Sequence, residues 1–170
     1  MDSILELDMQ RYSGGGIPRF LRFFRKAQMS KSHFGRKFYK KLFEISAKKK
    51  GIEFSVDNEI GYGLYVGHPY GITINAKAVI GNNVNIHKGV TIGQENRGKR
   101  KGTPHIGSKV WIGVNSTIVG NIVVGNDVLI APNTYINCDI PDHSIVFGNP
   151  CIIKHVENAT KEYINHTVEL

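Results

Sequence analysis

From residue 60 onward an aliphatic side chain returns every six residues, and this period constrains the fold more than any other feature of the chain. Ile60 and Val66 open the series; Ile74, Ile80, Ile86 and Ile92 continue it, and Ile106, Ile112, Ile118, Val124, Ile130 and Ile136 resume it after an interruption. Four positions after each start stand Leu64, Tyr70, Ala78, Val84 and Val90, then Val110, Ser116, Ile122, Val128, Thr134 and Ile140. A helix repeats every 3.6 residues and a simple strand every 2, so neither sustains such a pattern. A six-residue period predicts a parallel β-helix, one short strand and a corner per repeat. Three repeats make a triangular coil of about eighteen residues, with the aliphatic positions stacked inward. Gly81-Asn82-Asn83 and Gly125-Asn126-Asp127 read as corners, where positive φ is often needed. An ordinary sandwich would need turns every eight to twelve residues.

Two breaks interrupt the repeat. The register slips by two residues near Ile72–Ile74. Residues 93–105, with Arg97, Lys99, Arg100 and Lys101, offer no inward aliphatic residue and are expected to leave the coil as a basic loop. These marks divide the chain into a basic helical segment, 1–50, a β-helix, 51–155, and a tail, 156–170.

The net charge of +8 is unevenly placed. Residues 17–50 carry twelve Lys or Arg against Glu44 alone, a balance of +11, while 1–16 stand at −2 and 51–170 at −1. Phe20, Phe23 and Phe24, then Phe34, Phe38, Leu42 and Ile45, recur at helical spacing. Two amphipathic helices follow, with Pro18 at the first start, a break at Ser30–Ser32 or Gly35, and a hinge at Gly14-Gly15-Gly16. Such helices lie on an anionic membrane surface or dock their aromatic face on the main domain. The slightly acidic body and the lack of a binding motif speak against nucleic acid. No apolar run reaches the length of a membrane span, and the first ten residues are acidic, unlike a secretory leader. Cys138 and Cys151 are too few for a zinc cage or a disulfide framework. Reduced thiols, a cytoplasmic location and no metal are therefore expected.

With these motifs in place, the sequence resembles the hexapeptide-repeat acyltransferases, in particular their serine acetyltransferase-like branch. The likeness is carried by Gly67-His68-Pro69-Tyr70-Gly71-Ile72, Val90-Thr91-Ile92-Gly93, Thr103-Pro104-His105-Ile106-Gly107, Val110-Trp111-Ile112-Gly113-Val114-Asn115-Ser116, Gly120-Asn121-Ile122, Ile130-Ala131-Pro132-Asn133 and Gly148-Asn149-Pro150. It implies an all-β, left-handed parallel β-helix, an exception to the right-handed crossover rule. It also implies a homotrimer with sites between neighbouring subunits, and acetyl transfer from acetyl-CoA to a hydroxyl.

By that resemblance His68 is the catalytic base, and Glu53 takes the place of the acid that orients it. A hydroxyl needs such a base near neutral pH, and an imidazole suits the task. The resemblance runs the pantetheine arm of acetyl-CoA along Gly93, Val114 and Pro132 toward Gly148 and Asn149. Charge alone suggests Lys154 or the basic loop for the nucleotide phosphates. Backbone N–H groups near Gly93 are expected to stabilise charge on the thioester carbonyl. His87 is expected to be structural or site-lining; His33, His143, His155 and His166 are expected at the solvated surface.

The sequence departs from the branch where an amino-acid substrate would be gripped. Gly67 stands where the branch has Asp, and Gly102-Thr103 where it has Arg-His. Each lost charge-assisted bond removes about 1.5–3 kcal/mol from a charged acceptor. The expectation drawn is a sugar acceptor in a surface polysaccharide or its lipid-linked precursor, held by Tyr70, Asn85 and Thr103, with residues 17–50 at the inner membrane face. The alternative is L-serine O-acetylation for cysteine biosynthesis; a non-catalytic scaffold is a third reading.

Overall fold

A computed structural model of the chain describes residues 3–169 and contains the expected three-sided prism. One face stacks β1 (Glu59–Ile60), β4 (Val79–Ile80), β7 (His105–Ile106) and β10 (Val123–Val124). The second stacks β2 (Tyr65–Gly67), β5 (Asn85–His87), β8 (Val110–Ile112), β11 (Val128–Ile130) and β13 (Ser144–Phe147), then the antiparallel β14 (Ile152–His155). The third stacks β3 (Thr73–Ile74), β6 (Thr91–Gly93), β9 (Thr117–Val119) and β12 (Tyr135–Ile136). This is a left-handed β-helix of the hexapeptide-repeat class.

The register explains the buried column. Val66 pairs with Ile86, Ile86 with Ile112, Ile112 with Ile130 and Ile130 with Val146, all parallel. All twelve first positions of the six-residue series, Ile60 to Ile136, are buried. Each buried aliphatic side chain contributes roughly 1.5–3 kcal/mol. Tyr70 breaks the rule: it is 56% exposed, because the two-residue slip hands its inward slot to Ile72.

The corners use two devices. Asn83 and Asp127 take φ of 55° and 53°, as expected for short polar side chains. Gly81 and Gly107 are needed for a different reason. A Cβ on either would meet the backbone O of the glycine one coil later at 2.7 Å.

Ahead of the prism lie α1 (Ile4–Gln10), α2 (Arg19–Met29) and α3 (His33–Lys48). Ser3 and Glu6 close a capping box on α1, and Ser32 caps α3, which locates the break. Of the two alternatives for the basic helices, α2 takes the docked one. Phe20, Leu21, Phe24 and Ala27 are buried, and the Phe24 ring lies 5.2 Å from Phe54. The α3 helix divides: Phe43 and Ala47 are buried, while Phe34 is 81% and Phe38 52% exposed. Among the described residues no helix is long and apolar enough to cross a membrane.

The loop after β6 leaves the coil as expected. It holds one 3-10 turn, Gly98–Arg100, and closes on a bridge between Glu95 and Gly102. The last residues are not a loose tail. Ala159, Ile164 and Val168 are buried against the second face. Asn83 clasps Val168 by Nδ2 donating to its carbonyl (2.8 Å) and Oδ1 accepting its N–H (2.9 Å). Asp127 accepts from the backbone N–H groups of Ala159 and Thr160 and from the Thr160 hydroxyl. His143, expected in plain solvent, hydrogen-bonds the same Asp127 at 2.9 Å.

Candidate active site

His68 stands at the corner where the second face turns into the third. Its φ is 53°, an uncommon conformation for a non-glycine residue, and its carbonyl accepts the Tyr70 N–H at 2.8 Å. The turn holds the imidazole out from the prism in an exposed position.

The glycine before it has a structural cause. A Cβ at Gly67 would lie 2.8 Å from Cδ2 and 2.9 Å from Nε2 of His87. The space that a carboxylate side chain would take is thus filled by a second imidazole. His87 Nδ1 lies 2.9 Å from the Ile112 carbonyl, which assigns the proton to Nδ1 and leaves Nε2 an acceptor. The ring lies 4.6 Å from Trp111. Burial, with His68 nearby as a lesser cause, pulls the His87 pKa down. A neutral imidazole beside the exposed one follows.

Val114, Pro132, Gly148 and Asn149 fall on the edge that carries His68, at successive coils. Backbone bonds hold them in line: Asn133 N–H to the Val114 carbonyl (2.8 Å) and Tyr135 N–H to the Gly148 carbonyl (3.1 Å). Tyr70 shares the His68 corner, with Lys50 Nζ 4.2 Å from its ring. Gly93 and Thr103 belong to the next edge, between the third and first faces. Gly93 ends β6, and the Thr103 hydroxyl donates to the Lys77 carbonyl at 3.1 Å. Lys154 lies on β14 with Nζ 5.5 Å from the Phe147 ring.

Glu53 opens the lowest rung of the third face, paired with Thr73 one coil above. Its side chain faces a groove shared with Lys40 and Glu44 of α3. Among the described residues no hydrogen bond joins it to His68.

Asn85 belongs to a feature the sequence did not reveal. The second face, the residues after α1 and the C-terminal segment enclose a cleft of about 570 Å³ walled by Tyr65, Trp111 and Tyr163. Asn85 and His87 line it, as does Arg11, which is 3% exposed. The only sequence hint was Asn85 one coil above Tyr65; the chain ends that close the cleft carry no local signal. Among the described residues no group of three or more His, Cys, Asp or Glu is arranged to hold a metal ion.

Residues 103–138 match the family described as bacterial transferase hexapeptide (six repeats). A serine acetyltransferase from Helicobacter pylori is 34% identical over 117 residues, covering 67% of this chain and 68% of that protein. The chain belongs to the serine acetyltransferase family. Serine acetyltransferase 2 of Arabidopsis thaliana is 35% identical over 130 residues, 70% of this chain but 40% of that protein. Serine acetyltransferase isoform 3 of Entamoeba histolytica, solved in complex with cysteine, superposes with a TM-score of 0.69 at 27% identity, covering 85% of this chain and 57% of the other. The chain thus spans from less than half to about two thirds of these family members.

Proposed function

We propose that the chain is an acetyl-CoA-dependent O-acetyltransferase with His68 as general base. The observation that carries this reading is the alignment of His68 with Val114, Pro132, Gly148 and Asn149 on one edge. An extended thioester laid along that edge reaches the imidazole. His68 takes the acceptor's hydroxyl proton as the oxygen attacks the thioester carbonyl; the tetrahedral intermediate expels the thiolate, and the imidazolium returns the proton to sulfur. No acyl-enzyme forms. Backbone N–H groups near Gly93 are proposed to meet the developing oxyanion.

Gly93 and Thr103 occupy a different edge from His68, which supports a homotrimer. A neighbouring copy laid edge to edge completes the site. Glu53 is proposed as a positioning residue for the imidazole, reaching it once the acceptor and the neighbour are in place.

The relatives' names favour L-serine as the acceptor over the sugar expected from the sequence. One observation keeps a sugar as the second reading: Gly67 and Gly102-Thr103 supply no charge for an amino acid's ends, and at Gly67 the His87 ring leaves no room for one. In either case a cytoplasmic location is proposed. The exposed Phe34 and Phe38 among the lysines of α3 are proposed to touch the anionic inner face of the membrane.

The test is release of free CoA thiol from acetyl-CoA with L-serine and with a panel of sugars. His68→Ala is expected to cut kcat about 10²–10⁴-fold with its best acceptor. Unchanged turnover removes His68 from the mechanism, and turnover of sugars but not L-serine selects the second reading.

A further inference from the structure

The cleft over the second face is built around a buried cation, Arg11, that forms no ion pair with any of the described residues. Arg11 donates from Nη1 to the carbonyl of Gly63 and to Asn83 Oδ1, both at 3.2 Å, and from Nη2 to Asn85 Oδ1 at 2.5 Å. Every partner is a neutral carbonyl oxygen, and Nε is buried with no partner at all. The acid buried nearby, Asp8, is committed to Arg25 at 2.7 Å. These three buried groups therefore hold two positive charges and one negative. Among the described residues no Asp or Glu lines the cleft. A buried charge is costly unless an opposite charge compensates it, so the cleft is electrostatically prepared for an anion.

The walls say what kind. Trp111 sits between His87, at 4.6 Å, and Tyr163, at 5.2 Å. Tyr65 and Tyr12 face each other at 4.8 Å. Flat aromatic surface with Asn165 in the lining suits a ring that has apolar C–H faces and hydroxyl edges. About 570 Å³ is ample for a pyranose. The cleft also adjoins the reaction centre, since His87 forms part of its wall and packs against Gly67, the neighbour of His68.

We propose that this cleft binds a carboxylate-bearing sugar, with its carboxylate toward Arg11 and its ring against Trp111 and Tyr163. As the acceptor site, it rests on the second reading above, an O-acetyltransferase with a sugar acceptor; as a binding site, it is tested without that reading.

The chain has one tryptophan, Trp111, so its fluorescence reports the cleft alone. Titration with D-glucuronate, D-glucose and L-serine, with acetyl-CoA absent, is the experiment. Glucuronate is expected to change the emission saturably and to bind at least about tenfold more tightly than the other two, the worth of one charge-assisted contact. Arg11→Gln is expected to erase the preference for glucuronate over glucose. Arg11 also ties three chain segments together, so Tyr163→Ala is the second variant. Its exposed ring can be removed with the melting temperature retained, and glucuronate binding is expected to weaken about tenfold. A folded protein that gives no saturable response to glucuronate, or that binds glucose or L-serine as well, overturns the proposal. Acetyl transfer is followed separately by thiol release. Turnover without a Trp111 response refutes the cleft and spares the enzyme reading, whereas a selective Trp111 response with no turnover of any acceptor does the reverse.

Discussion

Replacing Arg25 by Met tests how the helical segment is held to the prism. Arg25 and Asp8 are both fully buried, and Nε donates to Oδ2 at 2.7 Å. Nη1 donates to the Ile60 carbonyl at 2.8 Å and to Gln28 at 2.9 Å, and Nη2 to the Gly61 carbonyl at 2.5 Å. Asp8 in turn accepts the Leu64 N–H at 3.0 Å. One ion pair thus joins α1, α2 and the first coil. Burial nevertheless raises the Asp8 pKa, outweighing the attraction of Arg25. The folded state therefore disfavours the charged carboxylate relative to the unfolded chain, so the pair fixes position more than it adds net stability. Arg25→Met leaves that carboxylate buried and unpaired, at an expected cost of about 3–5 kcal/mol near pH 8. The sign of the pH dependence follows. Protonating Asp8 relieves the unpaired charge, so the deficit of the variant shrinks as pH falls toward 5. Asp8→Leu combined with Arg25→Met removes both charges and is expected to recover most of the loss. The assay is urea unfolding followed by circular dichroism and by Trp111 emission at the two pH values. A single variant within about 0.5 kcal/mol of the parent at pH 8, or a double variant no better than the single, refutes the reasoning.

Gly107→Ala would press a Cβ to 2.7 Å from the Gly125 carbonyl oxygen, and thermal unfolding is expected to show a loss of about 1–3 kcal/mol. His87 is held below the ordinary imidazole range by burial. As pH falls through about 6.5 the unfolded chain binds a proton that the folded chain does not, so stability drops toward the folded pKa. His87→Gln is expected to flatten that part of the stability–pH curve, and an unchanged slope would count against the assignment. Cys138 and Cys151 place their sulfurs 3.7 Å apart. Oxidised glutathione is expected to join them, two thiols and one glutathione disulfide giving one internal disulfide and two reduced glutathiones. Burial raises the Cys151 pKa, so the reaction should quicken as pH rises, and intact-mass measurement with Cys138→Ser as control would expose its absence.

What could be read from the sequence alone follows from what each residue answers to. Ile86 is buried because it belongs to a column in which every coil must supply an aliphatic side chain, and that demand is printed locally, once per repeat. The period gives His68 only its corner, after the rung that ends at Gly67; its proposed role came from the family resemblance. Tyr70 misled because a fixed count carried it inward past a slip that only Ile72, two residues later, betrays. The cleft is different in kind. Arg11 sits on a short connection after α1, Tyr163 on a segment with no strand or helix, and Trp111 looks like any outward residue of a repeat. Nothing local says that the segments at either end fold over the second face, because Asn83 clasps Val168 from 85 residues away and Asp127 binds Thr160 from 33. Even His87 divides along this line. Its slot is set by the repeat, but the lone-pair direction of its Nε2 is set by the Ile112 carbonyl one coil above, and its room by Gly67 one coil below. A repeat scaffold therefore displays its skeleton in its own period, while the chemistry that distinguishes one acceptor from another is assembled from residues the period does not govern.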